Sequence, residues 1–117
     1  MLATAIRSPA VPPIIFAALG DESRLRLVER LRGGQALSIA ALTADSGLTR
    51  QAIRKHLGVL ERAGLVHELR LGREHQFRAD PAPLQAVADW AEQYRRDWDD
   101  RFDRLDKFLQ QQKEAKP

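Results

Sequence analysis

The chain has 117 residues, 44% of them hydrophobic, which suffices for one core and leaves no length for a separate catalytic domain. It contains no cysteine, which excludes disulfides, thiolate metal sites and a cysteine nucleophile. The net charge of +3 is modest, but between Arg50 and Arg78 seven basic residues stand against three acidic ones, while the other 88 residues sum to −1. A basic excess confined to one segment suits phosphate contact, since neutralising phosphates releases their counterions. A solvated basic face fits the charge equally well, so the order of elements has to decide.

Residues 1–13 hold three prolines, one basic residue and no continuous apolar run, and read as a flexible N-terminal arm rather than a signal peptide or membrane span. A cytoplasmic chain with no membrane partner is the expectation. From Pro13 the apolar stretch Ile14, Ile15, Phe16 and Leu19 is closed by Gly20, which predicts a brief helix. Asp21 caps a second helix that turns Leu25, Val28 and Leu31 inward and stops at Gly33-Gly34. Ser38 caps a third, with Ile39 and Leu42 inward, running to Gly47.

Thr49 caps a fourth helix ended by Gly64, with Ile53, Leu57 and Leu60 on its apolar side and Arg50, Gln51, Arg54 and Lys55 on the other. Two helices joined by a tight glycine turn, the second opening with long hydrogen-bonding side chains, form a helix-turn-helix. The period then changes to that of strands, Leu65 to Leu71 and Glu74 to Ala79, around Gly72-Arg73. A hairpin directly after a recognition helix is a wing. The fold class expected is mostly α with a small β-hairpin, a winged helix-turn-helix.

From Ala82 to about Gln112 a single long helix is expected, on the order of 45 Å, with residues 113–117 as a frayed tail and residues 14–112 as the domain. Its apolar residues keep a seven-residue rhythm, Leu84, Ala91, Trp98 and Leu105 in one register and Val87, Tyr94 and Phe108 in the other. Arg101 interrupts the rhythm, and Trp90, Phe102 and Leu109 broaden it. Such a face on a helix that outruns its domain needs a partner, and a second copy of the same helix is the simplest one. A homodimer is expected.

In this order the elements resemble the ArsR/SmtB family of winged helix-turn-helix repressors, over roughly residues 14–109. Leu19, Gly20, Asp21, Arg24 and Leu25 match the family's first helix junction, with Glu22 where proline is usual. Thr49, His56, Leu57, Leu60, Gly64, Leu65 and Val66 match its most specific motif, with Arg54 where serine is usual. The stretch from Asp89 to Leu109 is similar to a branch of small regulators that does not sense metals. The resemblance implies a DNA-binding repressor whose first and last helices form the dimer interface: Ile14, Ile15, Phe16, Val87, Trp90, Ala91, Tyr94, Trp98, Phe102 and Leu105.

For DNA, Arg50, Gln51 and Arg54 are the candidates for base readout, since arginine pairs bidentately with guanine and glutamine with adenine. Thr49 and Lys55 suit phosphate contact, and His56 suits a structural or backbone role. Arg70 and Arg73 at the wing are placed to follow phosphates or enter a minor groove. Two recognition helices about 34 Å apart would read an inverted repeat. A winged helix turned to an acidic protein partner is one alternative; a repressor with an organic effector near Trp90, Tyr94 and Trp98 is another.

No metal or cofactor is implied. The last helix has no histidine, and His67 and His75, read as facing each other across the hairpin, lack a third ligand. The acids Asp97, Asp99, Asp100, Asp103 and Asp106 alternate with Arg95, Arg96, Arg101, Arg104 and Lys107, the pattern of a salt-bridged surface rather than of paired catalytic carboxylates. No hydrolytic triad or phosphate-cradling glycine loop is present, and an enzyme is not expected.

Overall fold

The computed structural model describes residues 9–114, arranged as α1 (Pro13–Leu19), α2 (Glu22–Arg30), β1 (Leu37–Ser38), α3 (Ile39–Thr43), α4 (Arg50–Arg62), β2 (Val66–Leu71), β3 (Glu74–Ala79) and α5 (Ala82–Glu114). Local chemistry sets the boundaries. Asp21, Ser38 and Thr49 each accept a hydrogen bond from the backbone N–H three residues on, the N-cap arrangement that satisfies an otherwise orphaned donor. α4 ends in a Schellman motif: Gly64 takes φ +76°, its N–H bonds to the Glu61 carbonyl, and the Leu65 N–H reaches back to Leu60. Leu60 and Leu65, the apolar pair that accompanies this motif, are both fully buried.

The core lies where α1, α2, α3 and α4 meet the inner end of the sheet. Ile53, Leu57 and Leu60 from α4 sit at its centre with Leu31, Leu42, Leu65 and Val66. Burying each such side chain contributes roughly 1.5–3 kcal/mol, so α4 is held mainly by its inner face and its outer face is free for other work.

The sheet has three strands in the order β1-β3-β2, all antiparallel, where the sequence suggests only a hairpin. β1 pairs Leu37 with Phe77 and Ser38 with Gln76, and two residues are too few to show a period of two. The wing turn is the expected Gly72-Arg73. Glycine at the first loop position, with φ +66°, supplies the conformation that a II′ hairpin turn requires.

Several sequence expectations need correction. Leu27, not Leu25, is the inward leucine of α2; Leu27 and Leu31 form the i, i+4 pair on the core, and Leu25 is exposed. α3 stops at Thr43 rather than reaching Gly47, because Ala44 leaves helical geometry and Asp45 takes φ +59°. The N-terminal arm is not loose up to Pro13: Val11 is buried in the core, while residues 1–8 lie outside those described. At the other end Lys113 and Glu114 are still helical, and the remainder of the proposed frayed tail lies outside the described residues.

α5 leaves the domain. None of its residues is fully buried, and only its first turns touch the core, through the half-buried Val87. Pro83 sits in its first turn, where the lost N–H costs no helical bond. The radius of gyration is 21.8 Å, against about 13 Å for a compact domain of this length, and the longest dimension is 80 Å.

Candidate nucleic-acid interface

Because Ile53, Leu57 and Leu60 turn inward, the helical repeat turns Arg50, Gln51, Arg54 and Lys55 outward, and all four are exposed. Thr49 caps the same end of α4, so the first turn of the helix presents backbone N–H groups beside these cations. Ser46 braces the turn before it: its hydroxyl donates to the Thr43 carbonyl at 2.7 Å and accepts from the Leu48 N–H at 3.0 Å.

Strand pairing brings the wing to the same side. Arg50 and Arg54 of α4 share a cleft of about 290 Å³ with Arg73 of the wing turn, together with Ser38, Glu74 and His75. Among the described residues none of Arg50, Arg54, Lys55, Arg70 and Arg73 has an ion-pair or side-chain hydrogen-bond partner. Three arginines against the single acid Glu74 leave this concave surface net positive, a face suited to an anion.

His56 is placed differently from its neighbours. It is half-buried, and its Nδ1 lies 3.5 Å from Nη1 of Arg24, so it packs towards α2 and not towards the outer face. Sequence reading missed the role of Arg24. Its Nε donates to the Ala18 carbonyl at 2.7 Å and its Nη2 to Ala17 at 3.3 Å, which ties the end of α1 to α2 and α4. Asp21 completes the corner; the backbone N–H of Arg24 above all, and then the charges of Arg24 and His56, hold its carboxyl below the ordinary 3.8.

The hairpin histidines do not face each other. His67 pairs with Asp80 at 2.7 Å and His75 with Glu68, because the register sets His67 opposite Arg78 and His75 opposite Arg70. Asp80 also accepts from the Ala82 N–H at 2.9 Å, and this bond, followed by His67, lowers its pKa and fixes the wing to the start of α5. Among the described residues no group of three or more His, Cys, Asp or Glu is placed to hold a metal ion.

The expected dimer residues separate into two sets. Ile15 turns into the core and is withdrawn from any interface, while Ile14 and Phe16 on either side of it are exposed. Phe16 meets Trp90 edge-on at 5.6 Å, and from there Trp90, Tyr94, Trp98 and Phe102 follow one another along α5 with ring centroids 5.7–6.4 Å apart. Trp98 is 41% exposed and Phe102 59%, so this ladder lacks a cover. Ala91 and Leu105 are exposed on the same helix. Among the described residues no helix is long and apolar enough to cross a membrane.

A capped recognition helix after a tight turn, followed by a hairpin wing and flanked by free arginines, defines a winged helix-turn-helix protein of the DNA-binding class. A helix-turn-helix domain family matches residues 19–68. The chain is 39% identical over 85 residues to the HTH-type transcriptional regulator YuzN of Bacillus subtilis (strain 168), covering 67% of this chain and 92% of that protein. It is 36% identical over 76 residues to the HTH-type transcriptional regulator Rv2034 of Mycobacterium tuberculosis, covering 65% and 70% respectively. The structure of an ArsR-like transcriptional regulator from Rhodococcus sp. RHA1 superimposes with a TM-score of 0.77 at 34% identity, over 85% of this chain and 90% of that one. The chain belongs to the ArsR/SmtB family of winged helix-turn-helix transcriptional regulators.

Proposed function

We propose that the protein is a homodimeric repressor that occupies an inverted-repeat operator and needs no metal or cofactor to do so. The observation that carries this reading is the set of partnerless cations gathered on α4 and the wing, where Arg50, Arg54 and Arg73 line one cleft with Glu74 as its single acid. Arg50, Gln51 and Arg54 read base edges in the major groove; Thr49, Lys55, Arg70 and Arg73 hold the phosphates on either side. His56 acts from behind, by fixing α4 against Arg24. Dimerisation through α1 and α5 presents two such faces to successive major grooves.

Selection of bound sequences from a random DNA pool, with the wild type and Arg50→Ala, tests this. The expected result is a two-fold-symmetric site enriched by the wild type and lost in the variant. Absence of enrichment, or binding that hardly changes with salt, would sink the reading in favour of a protein partner, because phosphate contacts impose a steep salt dependence.

A further inference from the structure

A cleft lies at each end of α3. At its start is the cleft shared by Arg50, Arg54 and Arg73, to which α3 contributes Ile39 and Ala40. At its end a second cleft, of about 380 Å³, opens between α2, α3 and the turn that leads into α4. That volume falls within the roughly 300–1,000 Å³ of small-molecule sites.

The second cleft combines an aliphatic floor with a charged rim. Leu27 of α2, Leu42 of α3 and Ile53 of α4 come to its base from the core, joined by the half-buried Leu48. The rim sets Arg26 and Arg30 against Glu29 and Asp45, a balance of signs, where the first cleft sets three arginines against one acid. Arg26 is already held by Glu22 at 2.6 Å, and Glu29 lies 3.9 Å from Arg32. Arg30 and Asp45 form no ion pair among the described residues, which leaves this rim one open charge of each sign.

These two charges stand at the same end of the cleft. Nη2 of Arg30 donates to the Ala41 carbonyl at 3.2 Å, and Ala41 precedes Asp45 by about one turn at the end of α3. The other nitrogens of the guanidinium are left for a carboxylate. Asp45 takes φ +59° at the bend that follows α3. A simple anion would meet Arg30 but lie against Asp45 and Glu29, and a simple cation would meet Asp45 but lie against Arg26 and Arg30. A small molecule with both charges on one carbon and an aliphatic tail meets the rim and the floor together.

We infer that this cleft binds the zwitterion of an aliphatic α-amino acid, its carboxylate at Arg30, its ammonium at Asp45 and its side chain on Leu27, Leu42, Leu48 and Ile53. Leu48 and Ile53 flank the first turn of α4, so a molecule lodged against them bears on the angle at which Arg50, Gln51 and Arg54 are presented. The cleft is thereby an effector site. Its effector role rests on the DNA-binding reading above; ligand binding itself does not.

Calorimetry on the full chain without DNA tests the site, with L-leucine as the probe. Isocaproate and isopentylamine, the same skeleton without the ammonium or without the carboxylate, are the controls. The expected result is saturable leucine binding, with each control weaker by about tenfold, since one charge-assisted contact is missing. Asp45→Asn keeps a residue that tolerates the left-handed backbone and removes only the charge. It and Arg30→Gln are each expected to weaken leucine about tenfold with the circular dichroism spectrum unchanged, and Asp45→Asn to bind isocaproate no more weakly than the wild type. Isocaproate binding as tightly as leucine overturns the zwitterion in favour of an anion site, and leucine binding that neither variant weakens overturns the location. Absence of leucine binding by a protein that still selects an operator overturns the site and not the repressor. On that operator, saturating leucine is expected to change affinity about fivefold or more by fluorescence anisotropy, an effect lost in Asp45→Asn. Unchanged operator affinity overturns the effector role.

Discussion

The outer face of α4 and the turns of α5 from Glu92 to Asp99 are both rich in arginine, yet they treat it in opposite ways. On α4 and the wing, Arg50, Arg54 and Arg73 converge on one cleft with Glu74 as its single acid and form no ion pair. On α5, Arg95 is bound by Glu92 and Asp99, and Arg96 by Glu92. Glu92 is held below its ordinary pKa and Arg95 above it, each chiefly by their mutual hydrogen bond. Arginine on the first surface is left to meet an external anion; on the second it keeps a long helix soluble and straight while aromatic rings occupy the opposite side. Residue type alone does not separate a binding surface from a structural one. Among these particular arginines, a built-in partner does.

The strongest way to break this comparison is Phe102→Asp, which puts a charge into the aromatic ladder. The dimer is expected to be lost by sedimentation and operator affinity to fall on the order of 100-fold, because two half-sites no longer bind as one, with the monomer fold retained by circular dichroism. Next, Arg50→Ala is expected to cost about 10- to 100-fold in operator affinity, as for one bidentate base contact, and to leave dimerisation alone. Arg95→Ala is the control, with DNA affinity unchanged by fluorescence anisotropy. Equal effects from these two arginines would erase the distinction.

Acid sharpens it further. Asp21 and Asp80 have folded pKa values depressed chiefly by backbone N–H bonds, so the folded state holds fewer protons than the unfolded chain. Their contribution is complete above the ordinary carboxylate range and is lost as pH falls below about 4. Urea titrations from pH 7 to pH 3 should show that loss, and Asp21→Asn with Asp80→Asn should flatten it while lowering Tm by a few degrees at neutral pH. The smallest effect expected is a gain. Gly58 lies on α4 where an added methyl would meet nothing closer than Arg62 Nη1 at 3.6 Å, so Gly58→Ala should stabilise the fold by about 0.5–1 kcal/mol in denaturant unfolding.

The elements around the outer face of α4 were legible because each carries a strong local signal: Thr49 for the cap, Gly64 for the Schellman end, Gly72 for the wing turn. What escaped depended on contacts distant in sequence. In α2, Leu25, Val28 and Leu31 compete with Leu27 and Leu31 for the same periodicity, and only the packing of α4 against α2 chooses between them. Ile14, Ile15 and Phe16 are alike as letters, but one is core and two are surface. The carboxylate partners of His67 and His75 follow from strand register, which the hairpin sequence leaves open. The outward cations of α4 were readable as candidates; their lack of partners was not, since pairing is a property of the folded chain.

Arg24 has a mechanical consequence. One guanidinium grips the last carbonyls of α1 and touches the histidine of α4, so α1 and α4 are coupled through it. Any event that tilts α1 is passed to α4 through a single side chain. In the dimer proposed above, the spacing between the two α4 helices would be set from α1 outwards, with Arg24 as the linkage pin.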